Sequence, residues 1–147
     1  MTAYTCPVDV FLILTSGPRV LLALRRGTGY ADEQWNFPSG KLEAGEPVDA
    51  AVCREAHEEV GLTIDPATLP EPHVLHYSSR PGHGRLGLFF ALEHDPARHG
   101  RPVNAEPHKC GGIEWFDAGT LPPDTVPYTV EGWRLWRSGR GFTTAGW

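Results

Sequence analysis

Three glutamates, Glu55, Glu58 and Glu59, stand at i, i+3 and i+4 within the segment REAHEE. On a helix that spacing gathers the three carboxylates on one side, where they repel one another in water unless a cation neutralises the group. Hard oxygen ligands select magnesium or manganese. Magnesium usually keeps several of its waters and is shared with substrate phosphates, so the pattern is the expected apparatus for chemistry at a pyrophosphate. The plainer alternative is a solvated Glu-rich helix carrying an Arg54 to Glu58 pair at i, i+4. Against it stand Gly40, Glu46 and Gly61, which flank the acids and have no reason to accompany a merely solvated face.

The acids need a helix to position them, and the local sequence supplies one. Pro47 suits a first helical position, Asp49 favours the positive end of the dipole, and Gly61 stops the run, so a helix is expected over about 47–60. At about 100° per residue, Val48, Val52, Ala56 and Val60 step along one apolar arc. Glu55, Glu58 and Glu59 lie beside that arc, at the lip of the buried face, and His57 falls on the solvent side. Residues 40–45 read as a loop that must bring backbone carbonyls, Gly40 among them, towards a metal and let phosphates approach, which glycine permits. Lys41, one of two lysines in the chain, is either a phosphate contact or a loose surface charge.

Residues 40–62, GKLEAGEPVDAAVCREAHEEVGL, fit the string G-x5-E-x7-R-E-U-x-E-E-x-G-U, with U aliphatic. Seven fixed letters at usages of roughly 5 to 7% each give chance odds of about 1 in 10^8 per start position, which removes coincidence as an explanation. The segment resembles the signature of the Nudix hydrolase superfamily. The resemblance implies that Glu55, Glu58 and Glu59 are metal ligands, with Glu55 or Glu58 also orienting or deprotonating the attacking water. It implies that Glu46 and Arg54 brace the loop against the helix, and that Gly40 and Gly61 are structural positions. Family members commonly have glycine where this chain has Ser39, which leaves open how the Ser39 carbonyl is presented. Arg25 and Arg26 match arginines that the family places at the end of its second strand, where a guanidinium fork suits phosphate oxygens; Phe37-Pro38 matches its aromatic-proline pair. Many small members add a carboxylate from a later loop. Glu106 is the candidate here, with Glu93 and Glu114 in reserve. The stretch Glu106-Pro107-His108-Lys109-Cys110, with Glu114-Trp115-Phe116 after it, resembles nucleoside triphosphate diphosphatases of the 8-oxo-dGTP-hydrolase type. Trp35, Phe37, Trp115 and Phe116 could stack a base or could be core.

The remaining chain supplies a scaffold of matching size. With 147 residues, 40% hydrophobic, there is material for one domain over 1–140, followed by a tail, 141–147, of little regular character. The tail is expected either to be disordered or to pack Phe142 and Trp147 across a neighbour. Apolar runs at 8–14 and 20–24 flank a Thr-Ser-Gly-Pro turn and read as a hairpin. Further strands are expected at 73–79, 86–93 and 113–116, with a polar loop over 95–112 and a last helix over 127–138 burying Val130, Trp133 and Trp136. That order gives an α+β or α/β/α sandwich around a mixed sheet, the fold the resemblance also implies.

The implied reaction is metal-assisted hydrolysis of a diphosphate linkage, water attacking phosphorus in line, with no covalent enzyme intermediate. The leading expectation is a (deoxy)nucleoside triphosphate pyrophosphohydrolase using Mg2+ or Mn2+. An ADP-ribose, nucleotide-sugar or dinucleoside polyphosphate pyrophosphatase stays open, with Tyr77 keeping the dinucleoside option alive, as does a non-catalytic nucleotide-binding sensor. A net charge of −5 argues against binding long nucleic acid. The run VDVFLIL is too short and too interrupted for a membrane span. Three widely spaced cysteines without C-x-x-C pairing read as free thiols in a reducing cytoplasm. Monomer and homodimer are both compatible with the sequence.

Overall fold

The computed structural model describes residues 1–147. Strand β1 (Val8–Ser16) is the central element, and its near-continuous apolar sequence suits a strand buried on both faces. It runs parallel to β6 (Gly84–Glu93), from Val8 opposite Leu86 to Thr15 opposite Glu93. Its hairpin partner β2 (Arg19–Arg25) pairs with it only beside the turn, at Thr15–Val20 and Ser16–Arg19. Beyond that point the two strands part. There β1 pairs with β4 (Ser39–Lys41), while β2 takes β3 (Trp35–Asn36) and, antiparallel, β7 (Cys110–Asp117). Strand β5 (His73–Ser78) continues the sheet from β6, and β8 (Phe142–Ala145) closes it, parallel to β5.

Alternation along β1 builds two cores. Val10, Leu12 and Leu14 face helix α1 (Val48–Val60) and pack with its Ala51, Val52, Ala56 and Val60. Phe11 and Ile13 face the other way, into a cluster with Phe37, Phe89, Tyr128 and Leu135 that seats helix α3 (Pro127–Ser138). A short helix, α2 (Pro96–His99), and a 3₁₀ turn at Pro66–Thr68 lie in the connections. The result is an α+β sandwich around a mixed eight-stranded sheet. No helix is long and apolar enough to cross a membrane, and Cys6, Cys53 and Cys110 are free thiols.

Several expectations are corrected. Helix α1 begins at Val48, with Pro47 just outside it as the N-cap. The supposed loop at 40–45 starts as strand, because β1 lacks a partner once β2 has diverged and Ser39–Lys41 supplies it. The polar loop over 95–112 contains α2 and the start of β7. Helix α3 buries Tyr128, Thr129, Gly132 and Leu135; Trp133 and Trp136 pack beside that face, half-buried, and Val130 is also only half-buried. The tail is part of the sheet: β8 pairs Val74–Phe142 through Tyr77–Ala145, and the Trp147 indole N–H donates to the His76 carbonyl at 3.0 Å.

Candidate active site

A cleft of about 610 Å3 opens where β2 leaves β1. It is lined by the end of β2, the residues around β3 and β4, the acid face of α1 and the turn around Glu106, which pairs with the end of β2 through Cys110. It brings together Arg25, Ser39, Gly40, Lys41, Glu55, Glu58, Glu59 and Glu106 from four separate parts of the sequence.

The three helical acids occupy different environments. Glu58 is exposed. Glu55 is largely shielded and lies directly over Gly40, where a Cβ would fall 2.0 Å from its carboxyl carbon. Glu59 reaches furthest inward and accepts a hydrogen bond from the Ser39 backbone N–H at 2.9 Å. Burial pushes the Glu59 carboxyl up to about 8, against the pull of that hydrogen bond and with help from the negative charges of Glu55 and Glu106. Glu55 is also raised, chiefly by burial, with Arg54 opposing. Carboxylates held together at such cost lower their energy when a cation enters.

Arg54 is the clamp of the site. Its Nε and Nη2 form a fork on Glu46 at 3.0 and 2.8 Å, its Nη1 donates to Glu55 at 2.9 Å and to Glu58 at 3.3 Å, and Nη2 also reaches the Lys41 carbonyl at 3.3 Å. One guanidinium therefore joins the segment after β4 to the acid face of α1. No three acids converge at metal-ligand spacing, Arg54 standing between Glu55 and Glu58. The donor set is nevertheless hard oxygen throughout, and the Gly40 cradle fixes Glu55 at the floor, so the residues suit Mg2+ or Mn2+.

Glu106 arrives by backbone pairing. The Val103 and Ala105 N–H groups donate to the Val60 and Glu59 carbonyls at 2.9 and 3.1 Å, capping the last turn of α1. A tight turn follows, in which Lys109 and Cys110 N–H groups donate to the Glu106 carbonyl, each at 2.9 Å. Glu106 is thereby set beside Glu59. The reserve acids lie elsewhere: Glu93 is tied to Thr15 and the Gly17 N–H at the far end of β1, and Glu114 is exposed on β7.

The cations separate. Arg25 lines the cleft, its guanidinium held by the Tyr30 carbonyl at 2.9 Å and the Thr28 hydroxyl at 3.0 Å. Arg26, its neighbour on an extended backbone, points away and is paired with Glu33 at 3.0 Å, which corrects its assignment as a phosphate contact. Lys41 lines the cleft, as does Lys109, which the sequence had given no reason to single out. Phe37 is also placed differently from a base-stacking ring. It borders the cleft but is 1% exposed and packs edge-on to Phe89. Trp35 and Phe116 pack edge-on to each other at 4.8 Å, and Trp115 lies against His94, so none of the three faces the cleft.

Comparison with known proteins bears on the family and the fold. The NUDIX domain family model matches residues 5–132. The chain is 26% identical over 128 residues to the 8-oxo-dGTP diphosphatase of Escherichia coli (strain K12), covering 87% of this chain and 96% of that protein. It is 29% identical over 114 residues to the NAD-capped RNA hydrolase NudC of Stutzerimonas stutzeri, covering 78% of this chain but only 37% of that protein. The chain likewise spans only 39% of a matching oxidized purine nucleoside triphosphate hydrolase from Danio rerio. Among solved structures, a MutT NUDIX hydrolase from Burkholderia pseudomallei superimposes with a TM-score of 0.72 at 24% identity, over 90% of this chain and 98% of that one. Fold, signature residues and family model converge: the chain belongs to the NUDIX domain family.

Proposed function

We propose that this protein is a magnesium-dependent pyrophosphohydrolase that cleaves a nucleoside triphosphate to the monophosphate and pyrophosphate. The observation that carries the reading is that four carboxylates, Glu55, Glu58, Glu59 and Glu106, line one cleft together with Arg25 and Lys41. Relatives named as 8-oxo-dGTP diphosphatases support a triphosphate substrate.

Glu55, Glu58, Glu59 and Glu106 would hold the divalent metal, with the Gly40 backbone beside them. When bound, the metal supplies neutralisation of the phosphates and acidification of water. The chain's own groups do the rest. Arg25 and Lys41 bind the phosphate chain and hold it against the acidic wall. Glu55 or Glu58, both bonded to Arg54, takes the proton of the attacking water, and for Glu55 the Arg54 charge opposes the rise that burial causes. Glu46 keeps Arg54 in place. The site offers no nucleophile that the mechanism requires, and water attacks directly.

A dinucleoside polyphosphate substrate is the second reading, favoured by an aromatic cavity containing Tyr77 beside the cleft. Product analysis separates the two. Release of pyrophosphate and monophosphate from a triphosphate supports the first reading, and exclusive cleavage of dinucleotides would replace it with the second.

A further inference from the structure

The catalytic cleft adjoins a second cavity of about 560 Å3, and the two share Arg25, Asn36, Ser39, Gly40 and Lys41. Tyr77 and Tyr128 contribute to its wall, their rings stacked at 4.6 Å and 5°. Tyr30 contributes a third ring, with the Arg25 guanidinium 5.4 Å from its centre. Asp9, the one acid in the apolar run of β1, is 7% exposed here. It accepts from Arg85 Nε at 2.7 Å and Nη2 at 2.8 Å, and from the Tyr128 hydroxyl at 3.0 Å.

Asp9, Arg85, Tyr77 and Tyr128 have no part in the hydrolysis itself; the buried Asp9 carboxylate is compensated by its charge partner, while Arg85 is only half-buried. A guanidinium has five N–H donors. Asp9 takes the side formed by Nε and Nη2, which fixes the plane. The end formed by Nη1 and the second Nη2 hydrogen is not used in the Asp9 fork, Nη1 makes no hydrogen bond within the protein, and Arg85 lines the cavity. That end is a rigid pair of parallel donors, the complement of two adjacent acceptors. Among the nucleobases, guanine presents such a pair, O6 and N7; adenine and cytosine place an amino donor on that edge.

We infer that the second cavity is the base subsite of this enzyme, and that Arg85, held by Asp9, reads the O6/N7 edge of guanine. The assignment rests on the nucleotide reading of the adjoining cleft: Arg25 and Lys41, at the junction, face the phosphates, and the tyrosines flank the base. It goes further in one respect. Oxidation of guanine at C8 puts a hydrogen on N7, so the Arg85 contact favours the unoxidised base, unlike the substrates for which the 8-oxo-dGTP relatives are named.

The test is binding of GMP, 7-deaza-GMP and 8-oxo-GMP to the intact protein without divalent metal, followed by NMR titration. Replacing N7 by carbon removes one acceptor without changing the shape of the ring. The expected result is that 7-deaza-GMP and 8-oxo-GMP each bind about tenfold or more weakly than GMP. Arg85→Lys, which keeps the charge beside Asp9 but not the fork, should weaken GMP by a similar factor and leave 7-deaza-GMP nearly unchanged. Equal binding of GMP and 7-deaza-GMP, or no binding of GMP, overturns the assignment, and so does a uniform loss for all three ligands in Arg85→Lys. Because the assay involves no turnover, discrimination at N7 without triphosphate hydrolysis would uphold the subsite while removing the hydrolase reading.

Discussion

Glu55 lies so close over Gly40 that a Cβ there would stand 2.0 Å from both its carboxyl carbon and one carboxylate oxygen. The glycine is therefore a steric condition for the position of the acid, and the two residues form one unit across β4 and α1. Gly40→Ala should displace Glu55 by enough to lower kcat/KM about 100-fold or more, at a stability cost of about 1 to 3 kcal/mol. Steady-state kinetics beside thermal denaturation checks it. Unchanged turnover would mean that the Glu55 position does not matter to the chemistry.

Arg54 joins Glu46, Glu55 and Glu58, and a lysine can keep the charge but not the fork. Arg54→Lys should cost about 1 to 3 kcal/mol without metal. Saturating Mg2+ should recover part of the loss, because the ion offers Glu55 and Glu58 a partner in place of the guanidinium hydrogen bonds they have lost. Denaturation in chelator and in Mg2+ measures both. A loss that Mg2+ enlarges would contradict the arrangement.

Burial raises the Glu59 carboxyl from an ordinary 4.5 to about 8 in the metal-free fold. Between those values the folded chain keeps a proton that the unfolded chain has released, so stability is highest below the window and declines as pH rises through it. Unfolding in chelator should show this decline between pH 4.5 and 8, and Glu59→Gln should flatten it. Mg2+ must displace the same proton, so its affinity should climb with pH up to about 8. A pH-independent Mg2+ affinity over that window would count against Glu59 as a ligand.

Removal of residues 141–147 takes away β8 and the Trp147 bond to the His76 carbonyl. It uncovers the outer edge of β5, whose other edge is paired with β6. The truncated chain should melt several degrees lower and be more prone to associate through that edge. Melting curves and light scattering test this, and an unchanged melting temperature would show that β8 contributes nothing.

The sequence carried the parts of this structure that rest on local rules. Pro47 and Gly61 bracket α1 because a proline and a left-handed glycine each act within one turn, and the span 127–138 for α3 follows from Pro127 and Gly139 in the same way. What was not legible depended on partners distant in sequence. Thr129 and Gly132 are not apolar, so periodicity gave Val130, Trp133 and Trp136, which lie half-buried beside the buried face of α3. Thr129 is buried because its hydroxyl reaches the Asn36 side chain, and Gly132 because Phe89 fills the space above it. Arg25 and Arg26 are indistinguishable as letters, and only their partners in the fold, Tyr30 and Thr28 for Arg25 and Glu33 for Arg26, separate them. The Asp9–Arg85 pair joins residues 76 apart and had no motif to announce it.

The measurement that tests the central claim most directly is divalent-metal-dependent turnover of a panel of nucleoside triphosphates, ADP-ribose, nucleotide sugars and dinucleoside polyphosphates, with Glu58→Gln and Glu59→Gln in parallel. The account predicts Mg2+-dependent conversion of a triphosphate to monophosphate and pyrophosphate, reduced about 100-fold or more in both variants. Turnover that survives in chelator, or that neither substitution diminishes, would contradict it.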